Sequence, residues 1–577
     1  MFRTRFLSGK KIAIVSILLG LFSGVNAQQR PQFVEGEVIV KFRDDVVTAQ
    51  AQTIFANASI AQLDYYEEIR AYRCNVTNQQ SVAQAVRACQ QNPSVEYAEP
   101  NYIYTIDMLK ETPLMRAEPN DPAFSQLYGM NNIDAVTAWD VQTGNSDLIV
   151  GVIDTGVDYE HEDLAANMWR NPGETGNDAD GADKATNGVD DDGNGYIDDV
   201  YGWDFASDDN DPQDGNGHGT HVAGTIGAVG NNETGVVGVN WNVSIMALRF
   251  LDNNGSGTTA DAIPAIVYAA DMGVLLTNNS WGGGGFSQAL KDAIEYARDK
   301  NSLFVAAAGN SNLNNDSSPS YPASYDVDNI ISVAASDRND NRASFSNFGK
   351  KSVHLAAPGV GILSCEPNNR YQQLSGTSMA SPHVAGAVAL VATQFSGISY
   401  TDLRTRILGT IDPKANFSGN TITGGRLNVN NAFTTDPIVA LVTRLEDTKD
   451  TDGPYSVSAN ATDDGEITSV TLHYSAAGGA EETVAMAMSG NLYEATVPGQ
   501  SKGTNVSYYV KATDNDGNTV QSPVYEFKIG SGRCGSMFLI TSGDSGTGQA
   551  FFFLLNFVIM LALIKLIGRI RMRPKFA

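Results

Sequence analysis

The chain has 577 residues, of which 42% are hydrophobic, and a formal net charge of -27. This length allows several domains, and this hydrophobic content excludes a disordered polymer. The acidic balance argues against clustered Lys and Arg for phosphate binding, so no nucleic-acid partner is expected.

Along the chain, Arg3, Arg5, Lys10 and Lys11 precede an apolar run at 12–22, and Val25-Asn26-Ala27 resembles a small-residue cleavage site. A signal peptide over 1–27 and a secreted or cell-surface product are predicted. Residues 28–110 read as a small α+β domain, with strands at 36–42 and 95–102 and a helix at 81–89. Cys74 and Cys89 fall here and can pair within it. From 117 to 435, apolar runs at 148–153, 243–250, 273–280, 303–310 and 330–336 alternate with helical segments near 260–272, 287–300 and 380–395. That pattern predicts an α/β domain with a doubly wound parallel sheet. Its functional sites belong beyond the carboxyl ends of the strands. Cys365 reads there as a buried apolar filler. Between 437 and 530, strand-like runs at 469–475, 491–497 and 506–514 are joined by Gly, Asp and Asn turns. They predict an immunoglobulin- or fibronectin-like β-sandwich. Residues 533–577 hold Cys534, a polar linker, an apolar run at 550–564 and a basic end from Lys565 to Lys575. A transmembrane helix with a cytoplasmic basic tail is expected, similar to bacterial sorting tails, and would make the membrane a partner.

Three segments carry the chemistry: VIDTGVD around Asp154, GHGTHVAGT around His218, and SGTSMASPHVAG around Ser378. A serine hydroxyl attacks a carbonyl only when an imidazole takes its proton and a carboxylate orients that imidazole. The order Asp, His, Ser differs from the α/β-hydrolase and chymotrypsin orders. The residues around Ser378, Gly376-Thr377-Ser378-Met379-Ala380, also lack the second glycine of G-x-S-x-G. Ser378 lies in a glycine-containing turn, where a serine is often an N-cap. The helical run that follows favours negative charge at its start. His218 and His221 both stand in the second segment, and the glycines beside His218, which allow close backbone approach, make it the candidate base.

At these residues the chain resembles the subtilisin-like serine proteases over about 117–435. The resemblance implies a serine endopeptidase that acts on proteins or peptides. It also makes the N-terminal domain a propeptide that inhibits its own protease and is cut between Asp107 and Arg116. It implies an oxyanion hole from the Ser378 amide and the Asn310 side chain. Extended substrate is expected to pair along Ser256-Gly257 and Ser280-Trp281-Gly282. The specificity pocket is assigned to Ser280, Ala307, Ala308 and Gly309, with Ser320 at its base.

Ca²⁺ is the expected cofactor. In the acidic insert 174–214, Asp190, Asp192, Asn194, Gly195 and Ile197 follow an EF-hand-type loop with the Tyr196 carbonyl turned inward. Tyr201 stands where that loop has a bidentate Glu, and Asp198 or Asp199 can compensate. Asp178, Asp180 and Asp183 form a second acidic cluster. The family resemblance implies another site at Asp121, Asp163 and Asn232, with the carbonyls of Gly230, Thr234 and Val236.

Overall fold

The computed structural model describes residues 33–43, 46–105, 109–110 and 123–530. The first unit is an antiparallel sheet in the order Ile60–Tyr66, Ala71–Val76, Phe33–Phe42, Val95–Thr105. Helices Thr48–Ala58 and Val82–Gln90 share one core with it, including Val38, Val40, Phe55 and Ala85. Strand residues alternate faces, so Ile39 points away from this core. It joins a different one, with Ala71, Tyr104, Phe250 and Trp281, which continues into the next unit. The two units are therefore packed through a shared apolar layer. Cys74 and Cys89 are buried free thiols, and the pairing that their spacing allows is not made.

The second unit is a nine-stranded sheet. Its order is Asp412–Pro413, Gly425–Arg426, Leu355–Pro358, Ile330–Ser336, Leu303–Ala307, Leu276–Asn279, Gly144–Asp154, Asn242–Arg249, Gly202–Asp204. All neighbours run parallel except the short pair 412–413 and 425–426. The central strands are buried on both sides, with apolar runs such as 148–153 and Leu303–Ala307, because helices cover both faces. His218–Gly227 and Thr377–Gln394 pack on Val150, Val152, Val305 and Val333. Thr259–Asp271 and Gln288–Asp299 pack on Ile153, Leu248, Phe304 and Ala306. Full burial of each such side chain contributes about 1.5–3 kcal/mol. The first strand of this sheet in sequence, Gly144–Asp154, lies between later strands on both sides. It marks a topological switch point, and Asp154 sits at its carboxyl end.

The third unit packs two sheets around Val457, Leu472, Val510 and Phe527. One sheet holds Ile438–Ala440, Tyr455–Thr462, Ala487–Ser489 and Leu492–Val497. The other is built on the antiparallel pair Ile467–Ala476 and Asn505–Asp514.

The expectation of a membrane anchor is withdrawn. No helix among the described residues is long and apolar enough to cross a membrane. The run at 550–564 is short of the roughly 20 residues a span needs. That run, the linker, Cys534 and the signal segment 1–27 lie outside the described residues.

Candidate active site

His218 opens a helix that starts beyond the end of the Asp154 strand. Its Nδ1–H donates to Asp154 Oδ1 at 2.6 Å, and both side chains are fully buried. The Thr155 amide donates to the same oxygen at 2.8 Å. Gly219 follows because a Cβ there would meet the Gly156 carbonyl at 2.0 Å and the Asp154 side chain at 3.2 Å. A residue the sequence reading missed, Asp214, ties these two segments together. Its carboxylate accepts from the Thr155 hydroxyl, the amides of Asn216, Gly217 and Thr220, and the Thr220 hydroxyl, at 2.6–2.9 Å. His221 is a packing residue. Its Nε2–H faces the carbonyls of Ile362 and Gln372, and burial pushes its pKa down to about 3.

Ser378 lies within the first turn of Thr377–Gln394, whose N-cap is Gly376 rather than Ser378 itself. The Ser378 hydroxyl donates to the Ser280 carbonyl at 3.0 Å, and the Ser280 hydroxyl donates to the Ser378 carbonyl at 2.8 Å. His218 Nε2 is buried and has no hydrogen-bond partner among the described residues. Asn310 Oδ1 accepts from the Thr377 amide and hydroxyl at 2.8 and 3.0 Å, which fixes the orientation of its amide. Beside these residues is a cavity of about 270 Å³, lined by Ser280, Trp281, Gly282, Ala307, Gly309, Asn310, Ser320 and Ser378. Asn347 also lines it and was not anticipated; its side chain holds the amides of Ser311 and Leu313 and the Ala308 carbonyl. Ala308 is not on the wall. It is fully buried in a cluster with Ala334, Val353, Ala356 and Phe417.

The Ser256–Thr258 edge is already paired. Ile103, Tyr104 and Thr105 of the first unit run antiparallel to Thr258, Gly257 and Ser256. Tyr104 is fully buried, with its ring edge-on to Trp281 at 5.3 Å. Leu109–Lys110 pairs with Leu374–Ser375, which lead into the Ser378 turn. Two side chains of the first unit cap helices of the second. Glu99 accepts from the Ser287 hydroxyl and the amides of Gln288 and Ala289, and Asn101 Oδ1 accepts from the Ala260 amide. These contacts put an acceptor at the positive end of each helix.

Two acidic regions were predicted to hold metal. Around the insert, carboxylate oxygens of Glu174, Asp192 and Asp199 lie within 4.8 Å of one another. Glu174 is fully buried, and its Oε2 has no partner among the described residues. The cluster can coordinate a metal ion, and its all-oxygen donor set suits a hard cation. Glu174 falls outside the loop pattern that singled out the insert. Asp190 instead accepts from the amides of Gly193, Asn194 and Gly195, and the Asn194 side chain bridges Asp199 and the Tyr196 amide. At the other site, Asp163 accepts from the Asn232 side chain and the Val236 amide, both at 2.8 Å, and Asn232 accepts from the Thr234 amide. Gly230 starts this loop, its amide held by the Trp241 carbonyl. Asp121 lies outside the described residues.

A family model described as the subtilase family matches residues 145–435. The chain belongs to the subtilase family. It is a serine endopeptidase processed from a proenzyme, and its N-terminal unit is the prodomain. A model of the fervidolysin N-terminal prodomain matches residues 23–101, and one of carbohydrate binding module family 56 matches 449–522. A thermophilic serine proteinase of Bacillus sp. (strain AK1) is 39% identical over 409 residues, covering 71% of this chain and 90% of the relative. Thermitase of Thermoactinomyces vulgaris is 42% identical over 311 residues, covering 54% and 97%. Subtilisin DY of Bacillus licheniformis is 40% identical over 262 residues, covering 45% and 82%.

At the prodomain interface Asp261, in the first turn of Thr259–Asp271, is half-buried near Arg73 and Glu37 of the prodomain. Burial raises its pKa to about 6 from 3.8. A carboxyl raised on folding stabilises the fold fully below the unfolded value, and that contribution is lost as pH rises through the folded value. The Asp261→Asn precursor should therefore match the parent in melting temperature near about pH 4 and melt above it at about pH 7. Thermal unfolding across that range, in a Ser378→Ala background, checks this; parallel curves would contradict it.

Proposed function

We propose that the enzyme hydrolyses peptide bonds through an acyl-enzyme on Ser378. The observation that carries this reading is the buried 2.6 Å contact between Asp154 and His218, beside the cleft that Ser378 lines. With Nδ1–H held by Asp154, His218 Nε2 is the basic atom. When the Ser378 hydroxyl turns from the Ser280 carbonyl to this nitrogen, the imidazole takes the proton as the oxygen attacks the substrate carbonyl. His218 then returns the proton to the leaving amine, and activates a water that releases the acyl group. The Ser378 amide and the Asn310 side-chain amide stabilise the oxyanion; losing one such donor costs about 100- to 1000-fold in turnover.

The prodomain occupies the edge on which substrate is to lie, and so acts as an intramolecular inhibitor. We place the cut that frees it between Asp107 and Leu109, within the window that the family resemblance implies. Residues 103–105 pair with the Ser256–Thr258 edge, and 109–110 pair with the segment leading into Ser378. The protease is then secreted and works outside the cell.

Ser378→Ala should leave the precursor uncut, as read by N-terminal mass spectrometry. Normal processing of that variant would mean that another protease makes the cut and would remove the support for self-processing.

We infer further that Ca²⁺ stabilises the fold at Glu174, Asp192 and Asp199, and at the Asp163 loop. The buried Glu174 Oε2, without a partner among the described residues, supports this, because a buried carboxylate oxygen left unpaired is costly unless a cation or proton neutralises it. Excess EDTA should lower the melting temperature by about 5–10 °C, and added Ca²⁺ should restore it. An unchanged melting temperature in chelator would contradict both sites.

A further inference from the structure

The prodomain strand shows how an extended chain lies on this enzyme beyond the residue facing Trp281. Two residues upstream of Tyr104, the phenol of Tyr102 sits close against Gly285. A Cβ at Gly285 would stand 2.9 and 3.0 Å from the ring atoms Cε1 and Cζ and 3.2 Å from the hydroxyl oxygen. The Tyr102 carbonyl accepts from the Thr259 hydroxyl at 3.1 Å, which holds the strand down at this point. Phe286 continues the surface. It is 47% exposed although it belongs to an aromatic cluster, with Tyr321 and Tyr325 each set edge-on at 5.4 Å. Tyr102 and Phe286 border the same crevice of about 550 Å³ between prodomain and protease. When the prodomain leaves, the Gly285 backbone and the Phe286 ring remain as an apolar shelf at the end of the substrate edge.

We propose that this shelf is a binding subsite for an aromatic side chain of an extended polypeptide substrate, two residues upstream of the side chain that packs against Trp281. The physical reason lies in the glycine. A bare backbone lets a planar ring approach to van der Waals contact, and any side chain there would hold the ring off. An aromatic ring brings a large apolar area at a low cost in rotamer freedom. Strand pairing fixes the register, because residues two apart share a face. The enzyme thus favours substrates with two aromatic residues separated by one position, on the amino side of the cut. This inference rests on the protease reading above.

The test uses the autoprocessed enzyme made from the full chain and three quenched-fluorescent peptides. The first spans residues 99–112 of this sequence, the second is the same peptide with Tyr102→Ala, and the third starts at Ile103. Cleavage of the third measures peptidase activity without the subsite, and failure on all three would sink the protease reading together with this inference. The first peptide should exceed the second in kcat/KM by about tenfold, the size of a modest apolar pocket contact. In Gly285→Ala that ratio should fall to near one, because the new methyl displaces the ring. The wild-type ratio needs no variant, so a misfolded Gly285→Ala does not shield the proposal. Equal cleavage of the first two peptides by the wild type would overturn it. So would a tenfold ratio that survives in a folded Gly285→Ala enzyme.

Discussion

The 2.6 Å hydrogen bond between Asp154 and His218 is the constraint on which the rest of this molecule depends. It joins residues 64 apart in sequence, and neither segment can supply it alone. The sheet puts the carboxylate at the end of a buried strand, and Asp214 clamps that strand end to the start of the imidazole's helix. Five donors converge on the Asp214 carboxylate, all from the two segments or the turn before the helix. A buried carboxylate so fully satisfied is held rigidly, and it sets the position of the pair beside it.

The second organising feature is strand addition. The catalytic unit offers a short edge at Ser256–Thr258, and the prodomain fills it with its own last strand. Backbone pairing supplies affinity without regard to sequence, while the side chains that alternate along the strand supply selectivity. Tyr104 and Tyr102 face the protease at alternate positions, and Glu99 and Asn101 close the exposed amides of two helices. When the prodomain departs, the amides of Gln288, Ala289 and Ala260 lose these acceptors, while Ser287 still caps its own helix. One short strand thus links inhibition to the edge on which substrate is to lie.

Much of this was legible in the sequence. Strands such as 148–153 and 330–336 are continuous apolar runs because both faces are covered, and Asp154 follows one of them directly. The catalytic segments are legible because each is a compact local pattern. What escaped is non-local. Asp214 looks like one more acidic residue of the insert until the fold brings Thr155 and Thr220 against it. Glu99 and Asn101 act on helices more than 150 residues away. Glu174 lies outside the calcium-loop pattern and joins Asp192 and Asp199 only because the insert folds back, while Asp190 spends its oxygens on its own turn. Ala308 was placed on the pocket wall by its neighbours in sequence, yet its side chain points into the core.

The central claim is that Ser378 is the nucleophile and that His218 activates it. The most direct measurement is mass spectrometry of the autoprocessed enzyme after treatment with a fluorophosphonate. The account predicts a single adduct on Ser378, and its loss in folded protein carrying His218→Ala. A folded, processed enzyme that leaves Ser378 unlabelled, or carries the adduct on another residue, would contradict it.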